Sequence, residues 1–187
     1  IDVHGNPLSR SSRIYEIEDL AGPPGVIRNK GANTICPLDG KKGAAYVHCL
    51  EGDIHVGKAT HMLSYCWWYT IGDIVDTLTD FCRNHKLDPK RTYIWICCLC
   101  VNQHRVVAQS AQKKSGMLTP CVDFFTIFGE RVKKIGHVLA MMAPWSEPIY
   151  LTRIWCIYVL FMAHTNGCKV VIVMPPEEIL SLHQDII

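Results

Sequence analysis

Between Thr60 and Pro176 the chain alternates short, almost uniformly apolar runs with longer segments of helical periodicity. The runs "THMLSYCW", "RTYIWICCLCV", "GHVLAMMAPW" and "CKVVIVMPP" have the length of strands. They lack the alternation of a half-exposed strand, which predicts a sheet covered on both faces. After the first run, apolar residues at Ile71, Ile74, Val75, Leu78, Phe81 and Cys82 recur at helical spacing. Thr70 and Asp73 have the form of a capping box in front of them. A second stripe, Val122, Phe125, Phe128, Val132 and Ile135, predicts another helix, with Thr119 as N-cap and Pro120 at the first helical position. The stretch "YLTRIWCIYVLFMAHTNG", Tyr150 to Gly167, reads as a helix that is apolar all round, with Arg153 its only full charge and Gly167 its left-handed stop. One more helix opens in "PEEILSLHQDII". The polar stretch from Asn102 to Ser115 reads as a long loop, helical in part. The first sixty or so residues, rich in Gly and Pro, predict loops with a short hairpin.

Strand and helix in strict alternation predict an α/β domain, a parallel sheet flanked by helices. That domain spans residues 59–187, with residues 1–58 an irregular extension packed on it. Ligands of such folds sit at the carboxyl ends of the strands, here after Cys66, Val101 and Met142. No GxGxxG or Walker loop occurs, so a standard phosphate cradle is not expected.

Composition narrows the partners. A formal net charge of +2, with Lys and Arg scattered, leaves no nucleic-acid footprint. The one basic run, "RVKK", sits where a helix C-terminus favours cations anyway. No apolar stretch reaches the roughly 18 residues of a membrane span. The opening "IDVHGNPLSRSSR" is too polar for a signal peptide. The chain has no initiator Met and stops inside its last helical pattern, so we expect a piece of a longer protein. The ten cysteines mostly lie in apolar runs, which points to reduced, buried thiols and a cytoplasmic setting. Cys36, His48, Cys49 and His55 form the one alternative zinc set, and no metal is expected.

Chemistry-bearing side chains gather after the strands. Ser64, Tyr65, Trp67, Trp68 and Tyr69 follow the first; aromatics there either stack on a flat heterocycle or cover the end of the sheet. Asn102, Gln103, His104 and Arg105 follow the second, and Trp145 and Glu147 the third.

Three of these blocks, "LSYCWW", "YIWICCLCVNQ" and "RIWCIYV", resemble in order the signature blocks of the fungal heterokaryon-incompatibility (HET) domain, which run approximately LSYxWG, WIDAxCINQ and RxWxxQE. HET domains are related to Toll/interleukin-1 receptor (TIR) domains, signalling modules of innate immunity. The resemblance covers about Thr60 to Pro176 and implies a flavodoxin-like sheet and, in many relatives, a hydrolase that cleaves NAD at the nicotinamide–ribose bond. It also implies a site drawn from Ser64, Tyr65, Trp67, Trp68, Asn102, Gln103, Arg105, Trp145 and Trp155, with Tyr65 or Trp67 stacking on the base and Arg105 meeting a phosphate. NAD would be a substrate, and no cofactor is implied. The catalytic glutamate of the family, four residues after the motif tryptophan Trp155, falls on Val159. The acidic residue of the second block falls on Cys97. Both carboxylates are missing.

Splitting an N-glycosidic bond passes through an oxocarbenium-like state that a nearby carboxylate stabilises, and valine supplies neither charge nor a hydrogen bond. Two readings follow. One is an NAD-cleaving lineage impaired by Val159, with Glu147 or Glu130 a remote substitute acid. The other is a signalling or self-association module of the same fold without chemistry. A cysteine hydrolase built from Cys66 with His61 or His104 stands third.

Overall fold

The computed structural model describes residue 2 and residues 4–114 and 124–186. Thr119, Pro120 and Val122 of the expected second stripe lie outside the described residues. Four strands, β1 (His61–Ser64), β2 (Ile94–Ile96), β3 (His137–Met141) and β4 (Lys169–Val173), form one all-parallel sheet in the order β2-β1-β3-β4. The register pairs Leu63 with Ile96 and with Leu139, and Leu139 with Val171. Chain order reverses between β1 and β3, where an open parallel sheet leaves a crevice beyond its strand ends.

Helices cover both faces. On one, α3 (Ile71–Asn84) packs Ile74, Phe81 and Cys82 into a core with Leu63, Leu139, Met141 and Val173. Its start is the expected capping box: Asp73 N donates to Thr70 Oγ1 at 3.0 Å and Thr70 N to Asp73 Oδ2 at 3.1 Å. On the other, α6 (Phe124–Ile135) and α7 (Ile154–Thr165) enclose Met62, Val132, Val138, Val159 and Ala163. The helix α8 (Pro176–Ile186) closes the described chain. Among the described residues no helix is long and apolar enough to cross a membrane.

Three expectations change. The second apolar run is a strand only over Ile94–Ile96; Cys97–Cys100 coils into a helical turn, α4. The side chain of Gln103 explains the turn, since its Nε2 donates to the carbonyls of Cys97 (3.2 Å), Cys98 (3.4 Å) and Val101 (3.1 Å). Carbonyls satisfied this way have no need of a neighbouring strand. The polar stretch after it is a full helix, α5 (Gln103–Lys114). The apolar helix is shorter than read, because Ile149–Thr152 forms a 3₁₀ turn and Arg153 is the N-cap of α7; Gly167 (φ 63°) is the left-handed stop expected.

The first 58 residues are irregular but tightly attached. Their described residues include two short helices, α1 (Ile14–Ile17) and α2 (Val26–Gly31), an isolated antiparallel bridge between Ile35 and Lys42 in place of a hairpin, and another from Arg13 to Thr70. Ile14, Ile17 and Ile27 enter the α3-side core. Glu18 and Arg28, both buried, hold the loop between α1 and α2: Arg28 Nε donates to Glu18 Oε1 at 2.5 Å, and Arg28 Nη2 donates to the carbonyls of Asp19, Gly22 and Pro23. Asn102 Nδ2 donates to Gly43 O at 2.9 Å, tying this segment to the end of the second strand region.

Candidate functional site

Beyond the ends of β1 and β2, between the sheet, α5, α6 and the first turn of α7, lies a cavity of about 430 Å³. That is within the range of small-molecule sites. Ser64, Tyr65 and Trp67 reach it from β1 and the turn after it; Trp95 and Cys97 come from β2 and α4; Gln103, Gln109 and Ser110 from α5; Phe128 from α6. Arg153, Trp155, Cys156 and Val159 come from α7, and Tyr15 and Leu20 from the N-terminal segment. Trp67, Gln103 and Val159, drawn from three separate sequence blocks, thus share one hollow.

The walls are aromatic. Trp95 meets Phe128 edge-on at 5.3 Å between ring centres, and Phe128 lies 5.5 Å from Trp155. Tyr15 stands 5.4 Å from Trp67. Most polar groups on the lining are committed. Ser64 Oγ lies 2.7 Å from the Tyr150 hydroxyl, and Gln103 holds the α4 carbonyls. Gln109 Oε1 is the exception, a buried acceptor with no partner. Such an atom is costly to leave unpaired and favours a ligand that brings an N–H or O–H donor. Arg153 supplies the positive charge on the lining, at its rim; its Nη2 donates to Tyr15 Oη at 3.1 Å. No Asp or Glu lines the cavity among the described residues.

Burial controls the ionisation of the remaining groups. It raises the Tyr65 phenol well above its ordinary range, and its neighbours Cys97 and Cys98 add to the shift. Burial likewise pushes the Cys97 thiol up and takes Cys156 to about 12. Neutral thiols are poor nucleophiles, so these cysteines wall the cavity as small apolar groups.

Six of the residues singled out from the sequence meet here: Ser64, Tyr65, Trp67, Gln103, Trp155 and Val159. Four do not. Trp68 turns outward, edge-on to Tyr15 at 5.4 Å with the Arg13 guanidinium 5.3 Å over its ring. Asn102 serves Gly43. Arg105, expected to meet a phosphate, is paired instead with Asp39, whose carboxyl it holds far below the usual range. Trp145 faces α8, its N donating to Glu178 Oε2 at 2.8 Å and its Nε1 to Ser181 Oγ at 3.3 Å. Glu130 and Glu147 are exposed and do not line the cavity, so neither brings a carboxylate to it.

The alternatives from sequence lose their geometry. Cys66 is buried, His61 stands at the opposite end of β1, and His104 is spent on Arg28 O, 3.0 Å from its Nε2. No group of three metal-ligating side chains occurs among the described residues. Sequence reasoning passed over Tyr15, Trp95 and Gln109, which no strand-end rule would flag; Arg153, noted there only as the lone charge of its helix, emerges at the rim. Comparison of the chain with family models, curated proteins and solved structures gave no match.

Proposed function

We propose that the cavity binds a planar, aromatic-faced nucleotide, NAD or a relative of it, and that this chain holds such a ligand without cleaving it. The observation that carries the reading is the lining: aromatic rings on several sides, one orphaned acceptor, one cation at the rim, and no carboxylate. Rings of Trp67, Trp95 and Trp155 offer faces and edges to a base. Gln109 Oε1 accepts from an amide or exocyclic amine, and Arg153, rather than Arg105, meets phosphate.

The strand order agrees with the first four strands of a flavodoxin-like sheet. Together with the HET/TIR-like blocks, this favours a domain of that lineage. Both positions where that resemblance expects acids, Val159 and Cys97, line the cavity as apolar groups. An oxocarbenium-like state formed there would be met by a methyl group and a neutral thiol. The loss of such a carboxylate commonly costs orders of magnitude in rate.

The test is to titrate NAD, ADP-ribose and nicotinamide while following tryptophan fluorescence, and to assay nicotinamide release in parallel. Saturable quenching by NAD with release no faster than a protein-free blank is the expected result. Absence of saturable binding by all three ligands rejects the ligand class. Turnover by this chain rejects the non-cleaving half of the reading.

A further inference from the structure

We propose that Cys97 and Cys100 form a modification site, a dithiol that hydrogen peroxide converts into a reversible disulfide within α4. The inference stands apart from the nucleotide reading and needs only that the cavity admit a small oxidant.

The two residues stand in CxxC spacing just past the end of β2, on the helical turn α4. Val101 N donates to Cys97 O at 2.9 Å, which closes an α-turn around the pair. On such a turn residues three apart share a face, with Cα atoms ~5 Å from one another, inside the range a disulfide spans. The packing agrees. Cys97 and Cys100 both lie against the core on the α6 and α7 side, whereas Cys98 is buried in the core on the α3 side. Their Cβ atoms, ~5–6 Å apart on a regular turn, have to close by about 1–2 Å for the bond to form. The carbonyls of Cys97, Cys98 and Val101 are held by the Gln103 side chain and not by a neighbouring strand, so the turn can tighten without unpairing the sheet. A disulfide strained in this way is readily reduced again.

Exposure separates this pair from the other thiols. Cys36, Cys66, Cys82, Cys98 and Cys156 are buried, while Cys97 and Cys100 are half-buried. Cys49 and Cys168, the other half-buried thiols among the described residues, have no cysteine at this spacing. Cys97 lines the cavity and Cys100 does not, which assigns the order of steps. Cys97 loses its proton to water and its sulfur attacks one oxygen of the peroxide. The O–O bond breaks, and the departing hydroxide takes up a proton as water. The Cys100 sulfur then attacks the sulfenic sulfur of Cys97, the S–O bond breaks, and hydroxide leaves with the Cys100 proton as a second water. Two thiols lose two electrons, and the peroxide is reduced to two waters.

Burial acts on rate and equilibrium in opposite senses. It raises both thiols, so little thiolate is present at neutral pH and the first step is slow. It also leaves the reduced form without a stabilised thiolate, whereas a neutral disulfide suits apolar walls. The Cys97 thiol now donates to Tyr65 Oη at 3.7 Å. Bonding to Cys100 turns that sulfur away, so oxidation reshapes the cavity wall beside Tyr65 and Trp67.

The test treats the folded chain with hydrogen peroxide at pH 7 and pH 9, alkylates it with iodoacetamide in denaturant, and maps the tryptic peptide of residues 92–105. The expected product is two hydrogens lighter, is alkylated on Cys98 alone, reverts with dithiothreitol, and forms at least tenfold faster at pH 9. Cys100→Ser should stop at the sulfenic acid on Cys97, trapped by dimedone, and Cys97→Ser should leave Cys100 unoxidised. Circular dichroism checks both variants, and the map of the parent chain decides the matter if either misfolds. Three alkylated thiols in the peptide after oxidation overturn the proposal. So does a bond from Cys97 to Cys98 or Cys156, a rate indifferent to pH, or a dimedone adduct on Cys100 in Cys97→Ser. None of these outcomes bears on the NAD titration.

Discussion

Val159 sits among Met62, Trp95, Val132 and Val138 on one side and the cavity on the other. Glutamate placed there has only the cavity in which to hydrate its carboxylate. We therefore expect Val159→Glu to lower stability by about 1–3 kcal/mol through a partly desolvated charge. If the lineage inference is right, the folded fraction gains measurable nicotinamide release, whereas Val159→Gln, of the same shape without the charge, gains none. Arg153→Ala should weaken NAD and ADP-ribose binding several-fold while leaving nicotinamide unchanged, because the guanidinium has only phosphate to discriminate; equal loss for all three ligands would assign Arg153 a purely steric role. The same comparison on Arg105→Ala should show no effect on affinity, since Asp39 already occupies that guanidinium. Tyr69 makes a separate, structural point. Its hydroxyl accepts from Ala143 N at 3.0 Å and lies 2.9 Å from Ala143 O and 3.1 Å from Met141 O, locking the turn after β1 to the end of β3. Tyr69→Phe is expected to cost about 1–3 kcal/mol in chemical denaturation by leaving buried backbone groups unpaired.

At the scale of elements, the sheet and its helices were legible because period and length agree there. The α3 capping box, the α7 stop at Gly167 and the four strand cores are local signals. What escaped was decided by long-range partners. "ICCLCV" is apolar enough for a strand, and nothing local reveals that a glutamine amide two residues past its end will satisfy its carbonyls. Arg105 was the cation expected from sequence to meet a phosphate; only the fold sets Asp39, 66 residues away, beside it. The Gly- and Pro-rich segment gave no period at all, and its order rests on a buried ion pair. Glu18 accepts from the amide and guanidinium of Arg28 with both side chains nearly inaccessible. Removing one partner strands a buried charge, so Arg28→Ala is expected to cost ~3–5 kcal/mol and Glu18→Ala a similar amount. A double substitution to apolar residues should recover part of that, and a thermal melt of the three variants distinguishes the cases.

For the molecule as a whole, the end of the sheet remote from the cavity sets a pH limit. The rings of His61 and His137 lie 4.3 Å apart between centres, with Phe81 edge-on to His61, His85 tilted against Phe81, and Lys169 at the start of β4. Burial, then the positive charge of His137 and Lys169, depresses His61 to about 4, and His137 is lowered by burial and Lys169. The unfolded chain binds these protons more readily than the folded one. Stability should therefore be complete above about pH 6.5 and fall progressively as pH drops toward 4. His61→Asn should flatten that part of the melting temperature against pH, and an unchanged slope would exclude this histidine as the source.

The N-terminal segment, finally, is more than a wrapping. Tyr15 and Leu20 furnish part of the cavity wall, and Tyr15 also receives the hydrogen bond of the one cation at the rim. A shortened chain beginning near residue 59 would keep the four described strands yet lose a side of the cavity. Nucleotide occupancy and protease resistance around Tyr15 should rise and fall together.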